Sequence, residues 1–205
     1  AIANFSPATK VCYASSCLIY GWSNTAQQTE ETLPAPNSLY AITKLQWMQL
    51  GNRFSDKYHI QVVNAILYNH ESEYRSPNFV SMKIIQWAIN ISKWLQDNIT
   101  LGDLSTKVDW WYAGDYVQAM RWLLQSDHKW DYIISSGSLH TIQDLVEIVF
   151  GYLKLDRKKY IISNPNIITR KKWLLYGDNS KKIKDIWWKL STSFEDMLTK
   201  IILMK

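Results

Sequence analysis

Three short, apolar segments separated by stretches of helical spacing constrain the fold of this chain most. They are residues 10–16, 61–68 and 131–135. Segments of this length that are rich in β-branched residues are typical of buried strands in a parallel sheet. Between and around them, apolar side chains recur at helical spacing in residues 40–54, 78–95 and 115–124. This alternation predicts an α/β protein with a parallel sheet that ends in a smaller mixed lobe.

Smaller signals predict further elements. A short strand should precede Gly102, and Thr141 with Asp144 and Ser193 with Asp196 have the spacing of a capping box at a helix start. Helical spacing among aliphatic residues also predicts that these side chains face the core: Trp47, Trp87, Trp94, Val117, Met120, Trp122 and Leu124.

The length of the chain permits one large or two small domains. The chain has 205 residues, of which 47% are hydrophobic, so it has enough apolar content for a core of its own.

Its 23 basic residues outnumber 18 acidic ones. The excess lies in the final third, at Lys154, Arg157, Lys158, Lys159, Arg170, Lys171, Lys172, Lys181, Lys182 and Lys184. A phosphate-bearing partner is one interpretation, and a solvated basic face is the simpler one for most of these residues.

The two cysteines and the lack of a long apolar run indicate the compartment. Cys12 and Cys17 lie five residues apart without a second pair, which argues against a zinc site and a disulfide framework. No apolar run approaches the roughly 18 to 20 residues that a membrane span requires. We therefore expect a soluble, cytoplasmic protein with no metal site and with neither membrane nor nucleic acid as a partner.

The spacing of Tyr40 and Lys44 carries the first indication of chemistry. Residues four apart share a helix face, so the Lys44 ammonium can approach the Tyr40 phenol and favour its ionised form. Such a phenolate can take a proton from a sugar hydroxyl. Ser16 ends the preceding predicted strand, where its hydroxyl can reach the same oxygen. The order Ser, Tyr, Lys on strand, loop and helix resembles the short-chain dehydrogenase/reductase superfamily.

Further sequence blocks make the resemblance more specific. They look like the signature of the GDP-mannose 4,6-dehydratase family, C-terminal portion, and lie at residues 64–72, 78–84, 101–104, 109–110, 113–120, 137–141 and 177–178. The resemblance implies an incomplete Rossmann-like parallel sheet with flanking helices and a small C-terminal mixed lobe. It further implies that residues 1–150 are the remnant of the Rossmann-like domain, with interleaved substrate-lobe segments, and that residues 151–205 are the substrate-binding lobe.

The family's reaction implies roles for three residues. In that reaction NADP oxidises the C4 hydroxyl of GDP-mannose, water is eliminated across C5 and C6, and the hydride returns to C6 to give GDP-4-keto-6-deoxymannose. By resemblance, Ser16 polarises the C4 oxygen and Tyr40 is its acid/base. Lys44 would tune Tyr40 and contact the nicotinamide ribose.

The resemblance also implies the binding residues. His70 and Arg75 match family positions that contact NADP. Asn69, Asn78 and Lys83 match substrate-binding positions, of which Asn78 and Lys83 lie at a helix start, where phosphate is favoured. The partners implied are GDP-mannose or a related nucleotide sugar, together with a second copy of the chain or a partner chain that covers the missing half.

Several positions depart from the family pattern. Leu18 replaces the Glu that removes the C5 proton, Met82 and Val108 replace arginines, and the late nucleotide-binding arginine has only the offset Arg170 nearby. The sequence also has no Gly-rich dinucleotide-binding turn after a strand. Two further hypotheses therefore stand beside the dehydratase: an inactive remnant that serves as an assembly subunit, and a nucleotide-sugar reductase or epimerase.

Overall fold

The computed structural model describes most of the chain. The described residues are 2–6, 8–127, 129–164, 166–167, 174–178, 180 and 188–205. Part of the predicted basic region lies outside them, namely Arg170, Lys171, Lys172, Lys181, Lys182 and Lys184. The expected late nucleotide contact near Arg170 lies outside them as well.

The strands follow the predicted apolar segments. They are β1 (Val11–Ser16), β2 (Val62–Leu67), β3 (Asn69–Glu71), β4 (Ile99–Leu101), β5 (Lys107–Val108), β6 (Trp110–Tyr112), β7 (Trp130–Ile134), β8 (His140–Thr141) and β9 (Ile161–Ser163). β1, β2 and β7 form a parallel sheet in that order. β3 pairs with β6 and β4 with β9 in parallel, whereas β5 pairs with β8 in antiparallel fashion. The predicted α/β architecture with a parallel sheet is confirmed.

The helices alternate with these strands. They are α1 (Ile2–Phe5), α2 (Leu39–Tyr58), α3 (Val80–Ser92), α4 (Ala113–Gln125), α5 (Ile142–Tyr152), α6 (Arg157–Tyr160) and α7 (Phe194–Leu203), with a 3-10 helix at Cys17–Tyr20. Both α2 and α4 pack against β1 and β2. Each lies within a connection between neighbouring parallel strands, as crossover helices do.

Local hydrogen bonds explain where the helices begin and end. The Ser38 hydroxyl accepts a hydrogen bond from the Ala41 amide at the start of α2, and His59 ends that helix in the left-handed conformation with φ 55°. Thr141 and Asp144 form the predicted capping box at the start of α5. Ser193 caps α7 as its spacing with Asp196 indicated.

Two hydrophobic cores form, and they draw on interleaved parts of the chain. The sheet core includes Val63, Ala65, Ile66, Tyr116, Ala119, Leu123 and Ile133. The second core joins α3, α5 and α7 through Ile84, Ile85, Ala88, Leu145, Val149, Leu198 and Ile201. The predicted domain boundary at residue 150 stays a prediction.

Several predicted core positions are wrong. Val117 is 62% exposed, because Tyr116, Ala119 and Leu123 form the buried face of α4. Most of the tryptophans expected in the core are exposed as well, namely Trp47, Trp94 and Trp122. Among the described residues, the buried tryptophans are instead Trp110 and Trp188. The spacing of apolar residues correctly predicted these helices but did not show which face of each helix is buried.

β1 is the edge of the sheet within the described part of the chain, where it pairs only with β2. Its first four residues are only half-buried. The helices of this same part of the chain include none that is long and apolar enough to span a bilayer.

Candidate functional site

The carboxyl ends of β1, β2 and β7 place most of the candidate residues. Ser16 ends β1, Asn69 follows shortly after β2, and Ser135 follows β7. Ligands of open parallel sheets bind beyond these ends of the strands. The side chains at this edge, and on the helices and loops that follow it, are therefore the candidates for a binding site.

Ser16 lies between the edge strand and the 3-10 helix. Its Oγ accepts a hydrogen bond from the Leu18 amide at 3.2 Å and so caps that helix. The hydroxyl hydrogen stays available to an oxygen acceptor, because capping uses only a lone pair. Leu18 is 37% exposed and offers no proton acceptor at the position where the family pattern has a carboxylate.

The first turns of α2 bring Tyr40 and Lys44 together, as the sequence predicted. The Lys44 Nζ lies 5.6 Å from the centre of the Tyr40 ring and 5.1 Å from that of Tyr13. It also donates a hydrogen bond of 2.7 Å to the Ala14 carbonyl. Ala14 and Ser16 share a face of β1, since they are two residues apart on a strand. Lys44 thus contacts both Tyr40 on its own helix and the strand that ends in Ser16.

Successive side chains of β3 lie in different surroundings. Asn69 and Glu71 line a cavity, whereas the His70 ring contacts Tyr116, with ring centres 5.7 Å apart. The His70 Nδ1 lies 2.8 Å from the Tyr68 carbonyl oxygen. Burial lowers the pKa of His70, and the nearby Arg75 adds to this effect. His70 is therefore a neutral hydrogen-bonding imidazole near pH 7.

A buried carboxylate holds Arg75. Glu71 is 1% exposed, its Oε2 accepts a hydrogen bond of 2.7 Å from Ser81, and the same oxygen lies 3.4 Å from the Arg75 Nε. The Arg75 guanidinium also covers the Phe79 ring at 3.5 Å. Burial raises the pKa of Glu71, and the charge of Arg75 and the Ser81 hydrogen bond oppose that rise. The pair fixes the direction of the Arg75 guanidinium.

A cavity of about 860 Å³ brings four of the predicted binding residues together, namely Asn69, Arg75, Asn78 and Lys83. Its volume falls within the roughly 300 to 1,000 Å³ of small-molecule sites. Ser16, Tyr40, Lys44 and His70 are not part of its lining. The predicted residues therefore divide into four that line the cavity and four outside it, of which Tyr40 and Lys44 lie side by side near the sheet edge.

Asp109 anchors the wall of this cavity and was missed as a functional residue. It is fully buried, and its Oδ1 accepts hydrogen bonds from the Ser136 amide and hydroxyl at 2.9 and 2.6 Å. Its Oδ2 accepts one from the Gly177 amide at 3.3 Å, and its carbonyl accepts one from the Asn69 side chain. Burial raises the pKa of Asp109 to about 6. An acidic residue beside apolar Val108 and Trp110 was the signal in the sequence.

The fold and this site define a class of protein. Among solved structures, RMD from Pseudomonas aeruginosa complexed with NADPH matches with a TM-score of 0.85 and 22% identity over 96% of this chain and 66% of that one. The dTDP-glucose 4,6-dehydratase of Bacillus anthracis, solved with NAD, gives 0.83 and 23% over 99% and 63%. The chain thus shares its α/β fold with these two structures.

Sequence comparison is more specific. The family model for GDP-mannose 4,6 dehydratase matches residues 1–201. GDP-mannose 4,6 dehydratase 2 of Arabidopsis thaliana is 34% identical over 94% of this chain and 52% of its own length. The human GDP-mannose 4,6 dehydratase is 30% identical over 94% and 57%. The chain belongs to the GDP-mannose 4,6-dehydratase family, and it spans about half the length of these relatives.

Proposed function

We propose that this chain supplies the nucleotide-sugar site of an enzyme that converts GDP-mannose to GDP-4-keto-6-deoxymannose. The observation that carries the proposal is the cavity, which gathers Asn69, Arg75, Asn78 and Lys83 in a member of this family. Its polar and cationic lining suits the phosphates of a nucleotide sugar, and apolar walls such as Trp87 suit its rings.

The residues at the sheet edge would handle the proton of the reacting hydroxyl. Tyr40 takes the proton from the sugar C4 oxygen, and the Ser16 hydroxyl donates a hydrogen bond to that oxygen. Lys44 would stabilise negative charge that develops on Tyr40 during proton transfer, because its ammonium lies 5.6 Å from the centre of the ring. The Ala14 carbonyl restrains Lys44 through one of its three hydrogens, which leaves two for further partners.

The nicotinamide cofactor NADP fits part of this site. Lys44 and Arg75 offer hydrogen-bond donors, as a ribose and a phosphate require, and the Nε2 of neutral His70 can accept a hydrogen bond from a ribose hydroxyl. The sequence has no Gly-rich turn for the pyrophosphate, so these residues suit only one end of the cofactor. When bound, NADP supplies the acceptor for a hydride.

A second candidate function follows from Leu18. General-base catalysis is worth roughly 100- to 10,000-fold, and an aliphatic side chain cannot supply it. A nucleotide-sugar reductase or epimerase uses the Ser16, Tyr40 and Lys44 group without removing the C5 proton. The third hypothesis, an inactive remnant that acts as an interaction or assembly subunit, is supported by β1, which within the described ranges pairs on one side only.

The proposal includes self-association through α2. Trp47, Leu50 and Phe54 lie three to four residues apart and are all exposed, so they form one apolar face. A second copy of the chain would cover this face, whereas a chain that supplies the missing half would pair with β1. We also propose a domain division at residue 150. A cytoplasmic location belongs to the proposal as well, and the two free cysteines support it.

Mass spectrometry of GDP-mannose after incubation with this chain and NADP tests the function. We expect a product lighter by one water, formed slowly because Leu18 replaces the base. Leu18→Glu should raise the rate by at least tenfold, and Tyr40→Phe should abolish the product. Leu18→Gln is the matched control for a polar side chain that cannot accept the proton.

The outcomes separate the three hypotheses. Unchanged mass with hydrogen exchange or inversion at C4 favours the epimerase. GDP-4-keto-6-deoxymannose that becomes heavier by two hydrogens when NADPH is supplied favours the reductase. Unchanged substrate with every variant, including Leu18→Glu, contradicts the claim that this chain is itself a working enzyme and leaves the assembly subunit.

A further inference from the structure

The charged side chains of the cavity divide into those that already have a partner and those that do not. Glu71 and Arg75 pair with each other. Asp103 accepts hydrogen bonds from the Ser105 amide and hydroxyl, which lower its pKa. Within the part of the chain that the structure describes, neither Lys83 nor Lys107 forms an ion pair. Two cations of the lining, Lys83 and Lys107, thus have no ion-pair partner there, and Lys107 was not expected from the sequence. With Glu71, Arg75 and the ionised Asp103 included, the lining has a net positive charge of one.

The strand that holds Lys107 is firmly placed. Lys107 and Val108 pair with Thr141 and His140 as β5 and β8. The next residue, Asp109, is fully buried and fixed by its hydrogen bonds to Ser136. Val108 packs against the second core, whereas its neighbour Lys107 adds a cation to the lining of the cavity. Its side chain is exposed and its ammonium can reach a ligand there.

The start of α3 adds to the positive potential. Phe79 caps this helix without a side-chain hydrogen bond, and Phe79, Val80 and Ser81 all line the cavity. The first amides of a helix lack intrahelical partners and carry the positive end of its dipole. An anion between this end and the two lysines would satisfy all three groups.

We propose that Lys107 binds the phosphates of a nucleoside diphosphate in this cavity, together with Lys83. The proposal rests on the nucleotide-sugar function above and adds to it the residue that supplies the second charge. Two lysines suit a diphosphate because each ammonium can contact a different phosphate, and they reach it from α3 and β5.

Calorimetric titration of the 205-residue chain with GDP, guanosine and pyrophosphate tests this. Lys107→Ala should weaken binding of GDP and pyrophosphate five- to tenfold and leave guanosine unchanged. Lys107→Arg should retain most of the affinity. Lys93→Ala is the matched control, since Lys93 is an exposed lysine at the far end of α3 and outside the cavity. Thermal melting confirms that each variant is folded.

Each outcome decides the proposal. GDP binding by Lys107→Ala that equals the unsubstituted chain overturns it, as does an equal loss in Lys93→Ala, which would show a general effect of charge. Binding of pyrophosphate that depends on Lys107, without binding of GDP, supports the role of Lys107 but contradicts the nucleotide-sugar function. Failure to bind either ligand overturns both.

Discussion

The chain holds its two groups of candidate residues very differently. In the cavity, Arg75 is held by Glu71 and Phe79, and the wall is anchored through buried Asp109. At the sheet edge, Tyr40 is 52% exposed and Lys44 is held by one hydrogen bond to a carbonyl. The second core borders the first group, whereas the second group lies beside a strand that is paired on one side among the described residues.

This difference indicates which candidate residues are held in place by interactions within this chain. The cavity is built from interactions within this chain, so substitutions there should change stability as well as binding. The residues at the sheet edge make few such interactions, so their substitution should change chemistry and leave the fold intact. Substitutions in the two regions should therefore differ in their effect on the free energy of unfolding.

Replacement of Asp115 should have the largest effect. Its carboxylate is buried and accepts hydrogen bonds from the Ser191 amide and hydroxyl and from the Thr192 amide. These residues lead into α7, which closes the second core. Asp115→Ala should lower the free energy of unfolding by about 4 kcal/mol, because buried donors lose their acceptor.

Urea unfolding measures this change, and hydrogen exchange of residues 188–205 localises it. Asp156→Ala is the control, since the exposed Asp156 only caps the short α6. It should cost about 1 kcal/mol. A loss of stability in Asp115→Ala no larger than in this control would contradict the view that the cavity side depends on long-range anchors.

The pH dependence of stability should reveal Asp109. Burial raises its pKa from 3.8 to about 6 in the folded protein, so the folded state favours the neutral carboxyl. Its contribution is fully present below about pH 4 and is lost as the pH rises through about 6. The loss amounts to about 3 kcal/mol for this shift.

Denaturation of the unsubstituted chain and of Asp109→Asn between pH 4 and 7.5 provides the measurement. The variant stays uncharged, so the difference in stability between the two proteins should change across this range by the amount given. Other titrating groups are common to both and cancel. A constant difference would show that Asp109 keeps its charge without cost.

Local patterns predicted the elements because their causes are local. The apolar segments predicted β1, β2 and β7, and the spacing of Thr141 and Asp144 predicted the start of α5. Helical spacing likewise predicted that Tyr40 and Lys44 meet, which they do. Each of these inferences needed residues only a few positions apart.

The sequence could not reveal interactions between distant segments. Asp109 binds Ser136 and Gly177, and Asp115 binds Ser191, and no periodicity links such positions. The exposed Trp47 was misassigned for the same reason, since burial depends on which neighbour covers a helix face. The grouping of Lys107 with Lys83 likewise required the cavity itself.

A smaller loss of stability is expected when Ser81 is replaced, because its hydroxyl makes one hydrogen bond to a buried carboxylate of the cavity. Ser81→Ala removes the hydroxyl that donates to buried Glu71. We expect a loss of about 2 kcal/mol in the free energy of unfolding, because a buried carboxylate loses a partner. Ser92→Ala on the same helix removes a partly buried hydroxyl bonded to a carbonyl and should cost less than 1 kcal/mol. Equal losses in the two variants, measured by urea unfolding, would show that Glu71 does not need this hydrogen bond.

The smallest change in stability is expected at Lys44. Lys44→Met keeps the aliphatic stem but removes the hydrogen bond to the Ala14 carbonyl, which is close to solvent. The expected loss is about 0.5 kcal/mol, since β1 and α2 retain their other contacts. Product formation from GDP-mannose should nevertheless fall at least a hundredfold, because the charge beside Tyr40 is gone. Thermal unfolding and mass spectrometry on the same samples give both quantities. A loss of several kcal/mol would mean that Lys44 holds α2 to the sheet, and the contrast between a built cavity and a loosely held sheet edge would then fail.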